Sequence, residues 1–382
     1  MSGSLERNHM THMRIVQPRV IAGLAAAIVA LSGSAAAQGT RNGISIGNHP
    51  DVSGIRINFR DRDLRRVDGI NITLWTPHDP MSGRVRGIAL GLPATGASEI
   101  RGLALGVFGA GAEREISGIA LGGIGFGSGD RFKGIGVAGV GVGAGGDLEG
   151  IVVAGVGAGA GGRAKGIVIG GIGAGIGGDF RGAAIGGVGV GAGGDGEGLL
   201  IGGVGAGVGG NYRGIALGGV GIGIGGNARG FVGGTIGAGI GGNFRGIGVG
   251  GVGLGVGGDA RGILIGGVGA GVGGTMRGLA IGGVGVGASS IHGIAVGGIG
   301  VGAERVRGLV LTPGVLRVEP NGTFRGVSLN AAGSMVKGTQ RGLTIGLVNY
   351  ARSLERGAQI GLINIIDENR SHRVLPLMNW RD

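Results

Sequence analysis

Basic side chains recur at one place in a repeating unit of this 382-residue sequence, and an acid or amide stands two residues earlier in most units. The basic residues are Lys133, Lys165, Arg181, Arg213, Arg229, Arg245, Arg261 and Arg277, and the acids and amides are Asp179, Asp195, Asn211, Asn227, Asn243 and Asp259. Gly-Gly-Asp/Asn is typical of a tight turn, in which the basic residue keeps the strand end soluble. The functional alternative is a set of basic rims that bind outer-membrane lipid or lipopolysaccharide.

Other reactive side chains show no catalytic or metal-binding pattern. The six histidines are scattered without metal-ligand spacing, at His9, His12, His49, His78, His292 and His372. Carboxylates fall in turns and tails, away from any apolar pocket that would shift a pKa. Glycine runs such as GAGVGGNYRG match nucleotide-binding loops by composition alone, because no GK[ST] follows them and no helix is expected. We therefore predict no enzyme, no cofactor, no metal and no small-molecule substrate.

Two irregular stretches, 75–83 and 310–323, interrupt the repeat and are the candidates for a grafted site. Both are predicted to be longer loops. Nucleic acid is not expected as a partner either, since aromatic residues make up 3% of the chain and do not interleave with the basic ones.

The repeat itself is built on glycine, which accounts for 106 residues. A glycine followed by aliphatic–any–aliphatic begins twenty units: Gly54, Gly69, Gly87, Gly102, then every sixteen residues from Gly118 to Gly278, then Gly293, Gly308, Gly326, Gly342 and Gly357. Numbered from that leading glycine, the consensus is G-I-x-I-G-G-V-G-x-G-x-G-G-(D/N)-x-R. Hydrophobic residues at 42% exclude a disordered linker, the two-residue glycine spacing excludes collagen, and the glycine content excludes helix.

Each unit is predicted to be a strand and a tight turn, so the fold class is all-β. Positions three, nine and fifteen alternate large and small residues, which gives a superperiod of thirty-two residues. In an antiparallel meander Ala206 would face Ala216 and Ile222 would face Val232, so small residues would meet small and large would meet large. The sequence therefore favours a meander closed into a barrel or ring. The alternative is a β-solenoid, in which large and small residues interdigitate along each column.

A strand of about eleven residues, tilted in a closed sheet, would span about 25 Å, the apolar height of an outer-membrane barrel. Such barrels normally have aromatic girdles and a polar lumen, and this chain has 2 Trp and 2 Tyr. The predicted function is a non-catalytic envelope or surface repeat protein with a structural, adhesive or membrane-associated role. The alternatives are an outer-membrane pore and a secreted β-solenoid that binds a surface or polymer.

Glycines at positions eight and ten are predicted to be required for close packing against a neighbouring strand or another backbone layer. Gly221 and Gly223 are examples. Self-association through these glycine-rich sheets is the second predicted partner interaction.

Domain organisation follows from the repeat and from the N-terminus. Residues 1–37 are predicted to be a signal peptide: Arg14 and Arg19 precede the apolar run 20–31, and SAAAQ offers cleavage after Ala37, with Met13 as a plausible start. Residues 38–382 form a single repeat domain with a near-uniform core at 118–307 and divergent terminal units at 54–117 and 308–382. The predicted location is the outer membrane or cell surface, with the periplasm or secretion as alternatives.

The C-terminal forty residues change in character. Gly342-Leu343-Thr344-Ile345-Gly346-Leu347 with Asn349, and Gly357-Ala358-Gln359-Ile360-Gly361-Leu362 with Asn364, resemble the G-L-Q-I-G-L-x-N-x-A units of bacterial surface-repeat proteins known from leptospires and Bacteroidetes. The resemblance implies an exported, envelope-associated repeat protein with no assigned chemistry. The glycine-rich centre keeps the glycine and aliphatic spacing but lacks the Gln and Asn.

Export gives a direct prediction. Protein recovered from the envelope fraction should begin near Gln38, because the signal peptide is removed after Ala37. Intact-mass spectrometry measures this, and protein that still begins at Met1 or Met13 would contradict it.

Overall fold

The chain forms a parallel β-solenoid of about 19 turns. The computed structural model describes residues 39–369 and 372–381, so the predicted signal peptide, 1–37, lies outside the described residues. Each central coil contains a seven-residue strand and a four-residue strand, such as Tyr212–Gly218 and Gly221–Ile224. Each of these central strands pairs in parallel with the equivalent strands sixteen residues before and after it. Neighbouring coils therefore lie about 4.8 Å apart in register.

The first eleven strands, in chain order, are β1 Arg41–Ile46, β2 Asp51–Asn58, β3 Arg66–Thr73, β4 Arg84–Gly91, β5 Ala94–Gly106, β6 Gly109–Gly122, β7 Gly125–Ser128, β8 Arg131–Ala138, β9 Gly141–Ala144, β10 Leu148–Ala154 and β11 Gly157–Ala160. The central strands are β12 Ala164–Gly170, β13 Gly173–Ile176, β14 Phe180–Gly186, β15 Gly189–Ala192, β16 Gly196–Gly202, β17 Gly205–Val208, β18 Tyr212–Gly218, β19 Gly221–Ile224, β20 Ala228–Gly234, β21 Gly237–Ile240, β22 Phe244–Gly250, β23 Gly253–Val256 and β24 Ala260–Gly266. The last strands are β25 Gly269–Gly282, β26 Gly285–Gly297, β27 Gly300–Thr312, β28 Val315–Asn330, β29 Gly333–Ile345, β30 Val348–Ile366 and β31 Val374–Arg381.

The predicted antiparallel meander, closed into a barrel or ring, is wrong, and the β-solenoid alternative is confirmed. Ile222 does not face Val232; it pairs with Ala206 in the preceding coil and Ala238 in the next. The predicted eleven-residue strand is divided in two by a corner at positions six and seven. A barrel pore is excluded with the barrel, because the side chains of each coil fill its interior.

The core is a column of side chains from positions three, nine, eleven and fifteen of each coil. In the coil that begins at Gly214 these are Ala216, Ile222, Ile224 and Ala228, all 5% exposed or less. Stacking of the coils keeps these inward-pointing side chains away from water. Burial of their apolar surface is the main favourable contribution to the free energy of folding.

Complementary sizes within the core account for the thirty-two-residue superperiod. A small residue at position three accompanies a large one at position nine, as in Ala216 with Ile222, and the next coil reverses the order, as in Val232 with Ala238. A Cβ on Gly248, at position three, would lie 2.9 Å from Leu254 Cδ2 and 3.2 Å from Phe244 Cε1. The alternation keeps the cross-section of the core constant, so the coils stay in register. The alternation of large and small residues therefore does not indicate whether neighbouring strands are parallel or antiparallel.

The leading glycine has a conformation that other residues rarely adopt. All twenty leading glycines have positive φ, for example +138° at Gly214. A Cβ on Gly214 would overlap the carbonyl oxygen of Gly198 in the preceding coil. The aligned Gly43, which has φ +89° and pairs with Gly54, begins a further unit that sequence analysis missed.

Glycines at positions eight and ten do not pack closely, so that prediction is wrong. A Cβ on Gly223 would have no atom within 4 Å, and a Cβ on Gly221 would have its nearest neighbour, the Gly237 carbonyl oxygen, at 3.7 Å. These positions point outward from the shorter strand. The tightly packed glycines stand at positions one, five, six, twelve and thirteen, where the backbone bends or meets the preceding coil.

Within the described residues, the strand direction reverses only at the C-terminal end of the array. β31 pairs antiparallel with β30, along Gly357–Ile365, and covers that edge of the sheet. A covered edge strand has its backbone groups paired, so it does not pair with a strand of another molecule. No helix in the described part of the chain is long and apolar enough to cross a membrane.

Two glycine substitutions should separate structural from exposed glycines. Gly214→Ala should lower the free energy of unfolding by at least about 2 kcal/mol, because it combines a strained φ with a backbone overlap. Gly223→Ala should raise it by about 0.5 kcal/mol, because the site is open and the unfolded chain loses entropy. Denaturant unfolding measures both, and equal effects of the two substitutions would contradict the structure.

Candidate functional surfaces

The predicted basic residues form one column along the solenoid rather than two rims. Register places the residue before each leading glycine, at position sixteen, directly above its counterpart, as in Arg213 on Arg229 and Arg229 on Arg245. All eight basic residues identified from the sequence belong to this basic column. Glu149 and Glu197 interrupt its N-terminal half.

The basic column extends beyond the residues that sequence analysis identified. After Arg277 it continues through His292, Arg307, Arg325, Arg341 and Arg356. Sequence analysis missed these residues because the units there are not sixteen residues long. Counting back one residue from each leading glycine, instead of counting by sixteen, would have found them.

The acids and amides at position fourteen form a second column that links the coils. The Asn211 Oδ1 accepts the Asn227 backbone N–H at 2.9 Å, and the Asn227 Oδ1 accepts the Asn243 N–H at 2.8 Å. The Asp259 Oδ1 accepts the Thr275 N–H at 2.7 Å. A turn was predicted at these residues, and each side chain also satisfies a backbone donor that the corner of the next coil would leave free.

A groove of about 1260 Å³ runs between the two columns from Glu115 to Arg277. Its floor includes the large residues at position fifteen, such as Phe180, Tyr212 and Phe244. Tyr212 is fixed there, because its hydroxyl donates to backbone carbonyl oxygens of Gly198, at 2.8 Å, or Ile215, at 2.6 Å. Burial raises the pKa of Tyr212 well above its usual value. The tyrosine is therefore a neutral part of the core.

Aliphatic side chains cover the adjoining outward surface, at positions two, four and seven; we call it the aliphatic face. At position seven, twelve successive coils expose 42–66% of a Val or Ile side chain. These residues are Ile124, Val140, Val156, Ile172, Val188, Val204, Val220, Ile236, Val252, Val268, Val284 and Ile299. At positions two and four, Ile215 and Leu217 point to solvent at 49% and 36% exposure.

The aliphatic face is grooved near its N-terminal end. Leu90, Leu105, Leu121 and Val137 line an apolar depression of about 710 Å³. All four stand at position four of successive coils, so the depression follows the solenoid axis.

Among the described histidines, His292 stands in the basic column, whereas His9 and His12 lie outside the described residues. His49 lies near Arg56, and burial, followed by the charges of Arg41 and Arg56, lowers its pKa. In the described part of the chain no group of three His, Asp or Glu side chains is arranged to hold a metal ion. Residues 75–83 are a loop, as predicted, but 310–323 lie mostly in β27 and β28.

Buried polar clusters close the core at each end. At the N-terminal end the fully buried Arg56 contacts Asp61, and its Nη1 donates to the Asn71 Oδ1 at 2.9 Å. At the C-terminal end the Asn349 Nδ2 donates to the carbonyl oxygens of Gly346 and Ile360, at 3.1 and 3.0 Å. Asn349 and Asn364 of the C-terminal motif therefore point into the core and donate to backbone carbonyl oxygens, and the buried Gln359 Nε2 donates to the Gln340 Oε1 at 3.0 Å.

Together these features define the class: a β-solenoid repeat protein whose outward residues form uniform columns. Comparisons with protein-family models, with curated proteins and with solved structures found no match. The resemblance to bacterial surface-repeat proteins stays a prediction.

The acid column predicts that stability falls at low pH. A backbone hydrogen bond from Thr275, then the charge of Arg277, lowers the pKa of Asp259, and the side chain and backbone of Arg163 lower that of Asp147. A carboxyl whose pKa is lower in the folded state stabilises the fold above its unfolded pKa, near 3.8, and loses that contribution as pH falls through the folded value. The denaturant midpoint should therefore drop below about pH 4.

The double variant Asp147→Asn and Asp259→Asn is the matched test, because Asn keeps the Oδ1 acceptor and removes the charge. It should show a shallower loss between neutral and acid pH than the parent protein. A parallel pH dependence in the two proteins would assign the acid sensitivity to other groups.

Proposed function

We propose that this chain is an exported, non-catalytic β-solenoid that attaches to outer-membrane lipid through its aliphatic face. The observation that carries the proposal is the unbroken position-seven column, in which twelve consecutive coils expose a Val or Ile. Scattered exposed aliphatic residues are common in proteins, whereas a continuous stripe is not.

The size of the face supports an interaction surface. Twelve coils at about 4.8 Å by six residues at about 3.3 Å give a patch of about 1,100 Å². The largest apolar patch of a typical soluble monomer is about 300–600 Å². Exposure of this apolar area to water is unfavourable in free energy in every unit. Burial against an apolar phase would remove that unfavourable contribution.

Lipid suits the chemistry of the face better than a second copy of the chain. The side chains of the position-seven column are aliphatic, without a hydrogen-bonding atom to fix the orientation of a protein partner. The apolar depression lined by Leu90, Leu105, Leu121 and Val137 has the elongated form of an acyl chain. Only the leading glycine separates the basic column from the aliphatic side chains of position two, so anionic headgroups would meet positive charge at the edge of the face.

Vesicle flotation with purified protein tests the proposal. The triple variant Val204→Asn, Val220→Asn, Ile236→Asn should lower partitioning into phosphatidylglycerol-containing vesicles at least tenfold, since each buried aliphatic side chain contributes about 1.5–3 kcal/mol. The matched control Gly207→Ser, Gly223→Ser, Gly239→Ser places three polar groups on the other outward surface and should bind like the parent.

Two results would overturn the proposal. One is equal partitioning of the parent protein and the aliphatic-face variant. The other is a concentration-dependent dimer in sedimentation that the same variant abolishes while vesicles bind neither protein, which would assign the face to a second copy.

A further inference from the structure

The C-terminal half of the basic column is a row of arginines interrupted once, by His292, and we call it the cationic ladder. Its ten members are Arg213, Arg229, Arg245, Arg261, Arg277, His292, Arg307, Arg325, Arg341 and Arg356. Because successive coils lie about 4.8 Å apart, ten rungs extend over about 43 Å in a straight line.

The N-terminal half of the same column is built differently. Glu149 and Glu197 stand between its basic residues. Lys133 and Glu149 form an ion pair at 3.7 Å, and Arg181 and Glu197 form one at 3.0 Å. Lys165 and Arg181 stack as like charges between these two pairs, so each carboxylate at position sixteen compensates a basic neighbour without loss of register.

Compensating charge is scarce along the cationic ladder. Among the described residues Arg277 pairs with Asp259 at 3.5 Å and Arg341 pairs with Glu355. The seven other arginines form no ion pair within the described part of the chain: Arg213, Arg229, Arg245, Arg261, Arg307, Arg325 and Arg356. Beside the first three the neighbouring column holds Asn211, Asn227 and Asn243, which are neutral.

Stacked like charges at this spacing destabilise neighbouring strands. Solubility alone does not require them, because the N-terminal half keeps an exposed column in which two carboxylates stand among the basic residues. The cationic ladder therefore retains an electrostatic cost that an external anion of matching geometry would remove.

We propose that the cationic ladder binds a linear polyanion, specifically an acidic polysaccharide that carries a carboxylate or sulfate on its successive sugars. A pyranose unit has a length similar to the spacing of the coils, so negative groups would meet guanidinium groups rung by rung. Arginine binds carboxylate and sulfate with two parallel hydrogen bonds. The groove beside Arg213–Arg277 runs along the same axis, so an extended polysaccharide chain would lie in it.

Single-stranded nucleic acid fits less well. Its binding sites combine a positive groove with aromatic side chains on which bases stack. At position two, next to the ladder, the half-buried Phe231 stands alone among the aliphatic Ile215, Ile247 and Ile263, so the described residues there form no row of aromatic side chains. The proposal does not depend on lipid attachment, because a soluble polysaccharide has no acyl chain for the aliphatic face.

Affinity electrophoresis in gels that contain polygalacturonate, with dextran as the uncharged control, tests the proposal. The ladder variant Arg213→Gln, Arg229→Gln, Arg245→Gln should weaken binding to polygalacturonate at least about tenfold, and binding should weaken between about 50 and 200 mM salt. The matched variant Lys133→Gln, Lys165→Gln, Arg181→Gln removes the same charge from the same column and should weaken it less than about twofold. Far-UV circular dichroism confirms that both variants remain folded.

A second variant places carboxylates in the cationic ladder, as Glu149 and Glu197 stand in the N-terminal half. Arg229→Glu with Arg261→Glu replaces two cations by anions and should abolish retardation by polygalacturonate. The aliphatic-face variant should be retarded like the parent, so failure here is distinguishable from failure of the lipid proposal. Equal losses in the two triple variants, tighter binding of single-stranded DNA, or binding to anionic vesicles without retardation by the polysaccharide would overturn the inference.

Discussion

Contact between the backbones of successive coils is the constraint on which the rest of the structure depends. At each leading glycine the chain passes very close to the preceding coil. A Cβ added at Gly214, for example, would overlap the carbonyl oxygen of Gly198. Positive φ at the same residue requires glycine for a second reason. Once this contact is fixed, all other unit positions fall into columns, and each column has one environment.

The core adapts to that constraint by keeping its cross-section constant. A large residue in one coil is matched by a small one in the same coil and in the next, as with Tyr212, Ala216 and Ile222. The ring of Tyr212 occupies space that Gly196 leaves free in the preceding coil. Where the array ends, polar clusters around Arg56 and Asn349 replace the apolar filling, and they satisfy backbone groups that no further coil covers.

Columns also determine what the surface can do. A column repeats one kind of side chain at a fixed interval, so it suits ligands that are themselves extended or repetitive, such as a lipid surface or a linear polymer. Outward Val and Ile residues produce an apolar stripe, and outward arginines produce a line of charge.

Much of the fold could be predicted from the sequence. The spacing of the leading glycines gave the unit length, and the glycine and aliphatic content excluded helix. The Asp/Asn and Arg positions marked a corner, and Asn227 and Arg229 do stand there. The hydrogen bond from one corner amide to the next could not be predicted, because it depends on which residues are stacked.

Strand direction and the environment of each face were decided only by the tertiary structure. A two-residue alternation defines the two sides of a strand equally well in parallel and antiparallel sheets, so Ile222 could be assigned to Val232 or to Ala238 with similar size matching. Gly221 and Gly223 were likewise read as packed because glycine is costly in a strand, although both are open. Strand direction is determined by contacts between coils. Only stacking in register brings each leading glycine close to the carbonyl oxygen of the leading glycine in the preceding coil, and the sequence of a single unit does not show that contact.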